Sequence, residues 1–143
     1  MNHREKQIIG RREIVDFPEL GLYGIEAKVD TGAYTTALHC YDIRVANNQL
    51  YFKLISPEHP GNKGNEIIFK EYAKKGIKNS FGDVEERYIV KTKIKIGSRI
   101  IKSLISLTDR GNMRYPVLIG RKLLKNRFIV DVSQINLMGG REK

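Results

Sequence analysis

Asp30-Thr31-Gly32, followed by Ala33, is the first place in this sequence where residue types and spacing point to chemistry. The motif closes an apolar-rich run, 22–29. A carboxylate delivered at the end of a strand, with glycine two positions later, suits general acid–base work on a water molecule. The glycine lets the backbone turn tightly and come close to the carboxylate, and the threonine hydroxyl can tie the loop by hydrogen bonds. Three common residues also recur by chance, and Asp-Thr-Gly is a good turn in its own right, so the motif alone fixes no chemistry. Far downstream, Val117-Leu118-Ile119-Gly120-Arg121-Lys122-Leu123-Leu124 has the form apolar-apolar-Gly-Arg-x-x-Leu. Taken alone it reads as a buried strand followed by a helix.

Other chemistry finds less support. A zinc hydrolase offers three protein ligands, as in His-Glu-x-x-His; here His3, His39 and His59 lack metal-ligand spacing, and Cys40 beside His39 makes only a local pair. No Gly-x-x-x-x-Gly-Lys-[Ser/Thr] loop is present to cradle nucleotide phosphates. The sequence therefore implies no metal and no cofactor. Lys91, Lys93 and Lys95 make a basic stripe, read as a solvated strand face that discourages edge pairing more readily than as a phosphate track. Asp109 and Asp131 read as turn or pairing residues, with a supporting role beside an active site as the alternative.

The elements that must position Asp30 are short β-type runs with turn residues between them. Residues 8–17 and 22–29 read as strands around Pro18-Glu19-Leu20-Gly21. Tyr41, Ile43 and Val45 alternate with polar residues; Asn47-Asn48 then turns the chain into Leu50, Phe52 and Leu54. Residues 57–65, with Pro57, Pro60, Gly61 and Gly64, read as a loop, and 73–86 as a second polar segment containing Gly76 and Gly82. The clearest strand is 87–96: Tyr88, Val90, Thr92, Ile94 and Ile96 on one face, Lys91, Lys93 and Lys95 on the other. Gly97-Ser98 is a hairpin turn into 99–107. A short strand, 117–119, a helix over 121–126 and a last strand, 128–132, complete a mainly β chain. The expected fold is a small closed β-barrel or sandwich with one short C-terminal helix.

The 143 residues, 41% of them apolar, are one domain's worth of chain and enough for a single core, so residues 1–143 are expected to form one unit. No run approaches the roughly 20 apolar residues needed to cross a membrane, and the polar start, Met1-Asn2-His3-Arg4-Glu5-Lys6, lacks a signal-peptide core. A cytoplasmic location is expected, consistent with a lone cysteine, Cys40, that can form no intrachain disulfide. A net charge of +10 attracts polyanions, whether nucleic acid, ribosomes or acidic peptides, without choosing among them.

Taken together, the two motifs resemble those of the retropepsins, aspartic peptidases that carry Asp-Thr-Gly-Ala early and Ile-Gly-Arg-x-x-Leu before a short C-terminal helix. A longer match spans nearly the whole chain: Ala27-Lys28-Val29-Asp30-Thr31-Gly32-Ala33, Thr35-Thr36-Ala37-Leu38-His39, Asp109-Arg110, Met113, Tyr115-Pro116, Leu118-Ile119-Gly120-Arg121 and Phe128-Ile129-Val130-Asp131. This pattern resembles the bacterial and archaeal retropepsin-like family often labelled "ATP-dependent zinc protease", or RimB-like. A basic residue commonly follows Ala33 in that family, where this chain has Tyr34.

The resemblance implies a barrel of the acid-protease type with Asp30 catalytic, Thr31, Gly32 and Ala33 supporting its loop, and Leu118, Ile119, Gly120 and Arg121 lying beneath it. It implies a homodimer, because the mechanism needs two carboxylates sharing one proton and the chain has a single Asp-Thr-Gly. It also implies a mobile loop over the site, for which 73–86 is the candidate, and a pairing of Arg121 with a carboxylate at the dimer interface. Substrate-contacting residues are expected at Lys28 and Tyr34. If the strand stays regular, Lys28 points to the same side as Asp30, and a lysine there suits an acidic, glutamate-rich peptide. Members of the family accompany ATP-grasp glutamate ligases, which points to the same substrate and to a functional link with such a ligase. The rival reading is a non-catalytic basic β-domain that docks on the ribosome, RNA or an acidic protein; it accounts for the charge but not for the paired motifs, so nucleic acid is the less favoured partner.

Overall fold

The computed structural model of the chain describes residues 5–55, 63–78, 81–109 and 114–139. Among these, the strands run in the order β1 (Gln7–Gly10), β2 (Arg12–Phe17), β3 (Leu22–Val29), β4 (Thr36–Ala46), β5 (Gln49–Ile55), β6 (Lys63–Phe69), β7 (Ala73–Lys78), β8 (Val84–Ile96), β9 (Arg99–Thr108), β10 (Val117–Ile119) and β11 (Phe128–Asp131). A turn of 3-10 helix, Pro18–Leu20, joins β2 to β3, and a short helix, α1 (Arg121–Leu124), joins β10 to β11.

Hydrogen bonding runs β10-β3-β2-β8-β9-β4, and β4 pairs back onto β10, so six strands close into a barrel. Closure leaves those six strands no free edges. The interior is filled by side chains that alternate along each strand: Val15 and Phe17 from β2, Ile25, Ala27 and Val29 from β3, Ile94 and Ile96 from β8, Ile105 and Leu107 from β9, and Val117 and Ile119 from β10. On β8 the lysines at 91, 93 and 95 stay in water while Val90, Thr92, Ile94 and Ile96 are buried, as period two requires. β5 and β6 extend the sheet outward from β4, and β7 lies against the N-terminal half of β8. A separate two-stranded parallel sheet joins β1 to β11. The turn at Asn47-Asn48 has both residues in the left-handed region (φ 54° and 62°), and Gly97 likewise opens the β8–β9 hairpin at φ 62°. The mainly β barrel with one short helix is the architecture expected from the sequence.

Several boundaries differ from expectation. Residues 8–17 are two strands, because the chain changes sheets at Arg11: β1 joins β11, whereas β2 joins β3. Glu13 anchors this break. Its buried carboxylate accepts the backbone N–H of Gly10 at 2.7 Å, of Leu137 at 2.9 Å and of Met138 at 3.0 Å. The segment 73–86 holds most of a β-hairpin, with β7 paired to β8 from Ala73↔Ile89 to Lys78↔Val84. It carries no apolar period because its residues are almost all exposed. The expected loop at 57–65 falls largely outside the described residues, but Lys63 already begins β6, a strand absent from the sequence reading. The helix ends at Leu124, not at 126.

Candidate active site

β3 runs parallel to β10, with Ala27 opposite Val117 and Val29 opposite Ile119. The pairing continues one step past β3, where the Asp30 N–H donates to the Ile119 carbonyl at 2.9 Å. The chain then turns. The Ala33 N–H donates to the Asp30 carbonyl at 3.1 Å, and the Gly32 N–H donates to Oδ1 of the Asp30 carboxylate at 3.1 Å. A Cβ on Gly32 would lie 3.3 Å from that oxygen, so glycine allows the close approach.

The downstream motif holds this loop from below. The N–H groups of Arg121 and Lys122, free at the start of α1, donate to the carbonyls of Ala33 at 2.8 Å and Tyr34 at 3.0 Å. The Arg121 guanidinium donates to the Thr31 carbonyl at 2.9 Å and lies over the Tyr34 ring. The Gly120 N–H donates to the buried Thr36 hydroxyl at 3.0 Å. A Cβ at Gly120 would come within 2.6 Å of the Tyr34 carbonyl oxygen and 2.7 Å of the Thr35 carbonyl carbon, both backbone atoms, so only glycine fits beneath the loop. The structure thus brings together Asp30, Thr31, Gly32, Ala33 and Tyr34 with Ile119, Gly120 and Arg121.

Asp30 opens onto a cleft of about 710 Å³ lined by Gly32, Ala33, Tyr34, Thr35, Ala37, Leu118, Arg121 and Lys122 on the barrel side, and by Lys75, Gly76, Ile77, Lys78, Arg87 and Ile89 of the β7–β8 hairpin, with Leu104. That volume is within the range of ligand sites. Asp30 is the one carboxylate among these residues, against five cationic side chains: Lys75, Lys78, Arg87, Arg121 and Lys122. A second cavity of about 220 Å³, lined by Leu22, Gly24, Ile25, Glu26, Leu38, His39 and Pro116, shares none of them.

Lys28 is on the outward face of β3, between the inward-facing Ala27 and Val29, as alternation requires. It is exposed on β3, level with Leu118 and Arg12, and does not line the cleft. Its register partner Leu118 does line the cleft. The assigned strand ends at Val29, and Asp30 still pairs with β10 before the chain turns at Thr31-Gly32. Arg121 has no carboxylate partner among the described residues of its own chain. His39 and Cys40, neighbours on β4, are both buried, with side chains on opposite faces of the strand. Among the described residues, no three of His, Cys, Asp and Glu come together to hold a metal ion. Asp131 accepts from the Ser133 hydroxyl at 2.6 Å and its N–H at 3.0 Å, which hold its carboxyl below the ordinary range; it fastens a turn. The hairpin residues Lys75, Lys78 and Arg87, and Lys122 on α1, went unnoticed in the sequence because cations on an exposed hairpin and a short helix read as surface charge.

A six-stranded closed barrel carrying an Asp-Thr-Gly loop, underlaid by a Gly-Arg turn into a short helix, defines the acid-protease type of chain. The chain belongs to the RimB-like family, described as retropepsin-like aspartic endopeptidase RimB, whose model matches residues 8–139. Curated relatives named "Probable alpha-L-glutamate ligase" include one from Shewanella halifaxensis, 34% identical over 142 residues, covering 94% of this chain and 30% of that protein. One from Desulfotalea psychrophila is 31% identical over 130 residues, covering 88% of this chain and 28% of that protein. The chain therefore spans about 30% of the length of the curated relatives it matches. A crystal structure of a Legionella pneumophila protein of unknown function superposes with a TM-score of 0.73 at 25% identity, covering 92% of this chain and 98% of that one. No helix among the described residues is long and apolar enough to cross a membrane.

Proposed function

We propose that the chain is one half of a homodimeric aspartic peptidase that cleaves acidic, glutamate-rich peptides. The observation that carries this reading is the Asp30 carboxylate, held by the Gly32 N–H on a loop laced to α1 and open to a peptide-sized cleft. Asp30 is alone there, so the second carboxylate comes from an identical chain across a two-fold axis. One exposed apolar surface suits such a partner: Ile8 and Ile129, paired across the β1–β11 sheet, are 53% and 54% exposed.

In the paired site two Asp30 carboxylates share one proton, because like charges so close cannot both ionise. The ionised carboxylate takes a proton from water as its oxygen bonds to the peptide carbonyl carbon. The protonated one gives its proton to the carbonyl oxygen. Collapse of the tetrahedral intermediate breaks the C–N bond; the leaving nitrogen receives the proton taken from water, and a hydroxyl of the intermediate returns its proton to a carboxylate as the new C=O forms, which restores the shared proton. The β7–β8 hairpin, which walls the cleft, limits water access. The five cations lining the cleft favour substrate carboxylates, and the naming of relatives as glutamate ligases supports glutamate as the residue read. A glutamate ligase is accordingly the expected functional partner.

The test is hydrolysis of a glutamate-rich peptide by the purified full chain, followed by mass spectrometry. Asp30→Asn should lower the rate at least about a hundredfold, and neither a chelator nor ATP should change it. A wild-type rate in Asp30→Asn would show the reading to be wrong.

A further inference from the structure

Arg87 is placed where a guanidinium is costly to keep. Its side chain is only 11% exposed, and its Nε is buried with no hydrogen-bond partner. Directly across the hairpin stands Lys75, so two cations face each other on strands where like charges repel. Among the described residues, Lys75 has no ion pair. The anion that touches Arg87 is Glu85, two residues earlier on the same strand, with Oε1 3.1 Å from one terminal nitrogen. Glu85 is itself 48% exposed, and a pair with one partner in water is weak. Strand parity puts Lys75, Ile77, Glu85, Arg87 and Ile89 on one face of the hairpin, and four of these five line the cleft that holds Asp30.

We propose that Arg87, with Lys75 beside it, is a carboxylate-binding subsite of the cleft, and that Glu85 occupies Arg87 in the free protein and yields it to an acidic side chain of the bound peptide. This rests on the reading of the cleft as a peptide site. A carboxylate with two oxygens suits the fork of a guanidinium, reaching Nε and a terminal nitrogen together. It would supply the partner that Nε lacks and neutralise the Lys75–Arg87 repulsion. Ile77 and Ile89 beside it accept the methylenes of a glutamate side chain. Glu85 then acts as an internal competitor that keeps the cation paired until a substrate arrives.

Binding separates this proposal from catalysis. The full chain carrying Asp30→Asn is titrated by calorimetry with a hexaglutamate and a hexaglutamine peptide, both amidated so that only side chains carry charge. The glutamate peptide should bind more tightly. Arg87→Met should weaken it at least about tenfold and leave the glutamine peptide unchanged. Glu85→Gln should tighten the glutamate peptide about two- to fivefold. Equal weakening of both peptides by Arg87→Met, weaker glutamate binding in Glu85→Gln, or no binding of the glutamate peptide would overturn the subsite. If Arg87→Met does not fold, Arg87→Lys, which keeps the charge and loses the fork, decides in the same way. Charge-selective binding with no cleavage by the wild-type chain would defeat the peptidase reading and leave the subsite standing. Equal cleavage of both peptides, unchanged by Arg87→Met, would do the reverse.

Discussion

At the residue scale the site depends on small groups in close contact. Gly120 sits under the loop with no room for a methyl group, and Gly32 brings an N–H to the Asp30 carboxylate. Cys40 shows the opposite case, a reactive type made inert by its surroundings. Burial pushes its thiol up to about 12 from 9.0, with the charge of Asp109 adding to the rise and a backbone hydrogen bond at Thr108 opposing it. The sign for stability follows from a raised folded-state value. The contribution is fully present below pH 9 and is lost as pH rises toward about 12. Iodoacetamide at pH 8 should therefore modify Cys40 at least about a hundredfold more slowly in the native protein than in denaturant, as read by intact mass; comparable rates would show the thiol to be accessible. That the Asp30 loop and the Gly120-Arg121 turn meet was legible in the sequence, because their motifs are defined by residue type and order. Lys28 stands beside Leu118, which lines the cleft, without lining it itself.

At the scale of elements, legibility followed burial. The β8–β9 hairpin was plain because one face is wet and the other dry, and its turn has the residues that left-handed backbone favours. β7 was hidden because a strand exposed on both faces has no period to detect. The break between β1 and β2 was hidden for a different reason: it is set by Glu13, which shares the parity of Val15 and Phe17 and goes inside with them. A charged residue on a buried parity was the available signal, and its partners, Leu137 and Met138, lie more than a hundred residues away. The carboxylate fastens the 137–138 segment to the turn before β2. Glu13→Gln turns one acceptor into an N–H donor facing backbone N–H groups, and should cost about 2–3 kcal/mol in chemical denaturation. A change below about 0.5 kcal/mol would mean that the anchor contributes little.

At the scale of the whole molecule, two properties act together: a net charge of +10, and a cleft lined by five cations around one carboxylate. The net charge draws anions from a distance and is screened by salt over about 8 Å at physiological ionic strength; the cleft adds five cations at contact range. The proposed aspartic chemistry needs a second carboxylate and so a second chain. Mixing tagged wild-type and Asp30→Asn chains, with time for exchange, and assaying a glutamate-rich peptide at constant total protein tests this most directly. If each site needs an Asp30 from both chains, activity follows the square of the wild-type fraction, so an equal mixture retains about a quarter of the wild-type rate. An equal mixture retaining about half, with activity linear in the wild-type fraction, would contradict the shared site.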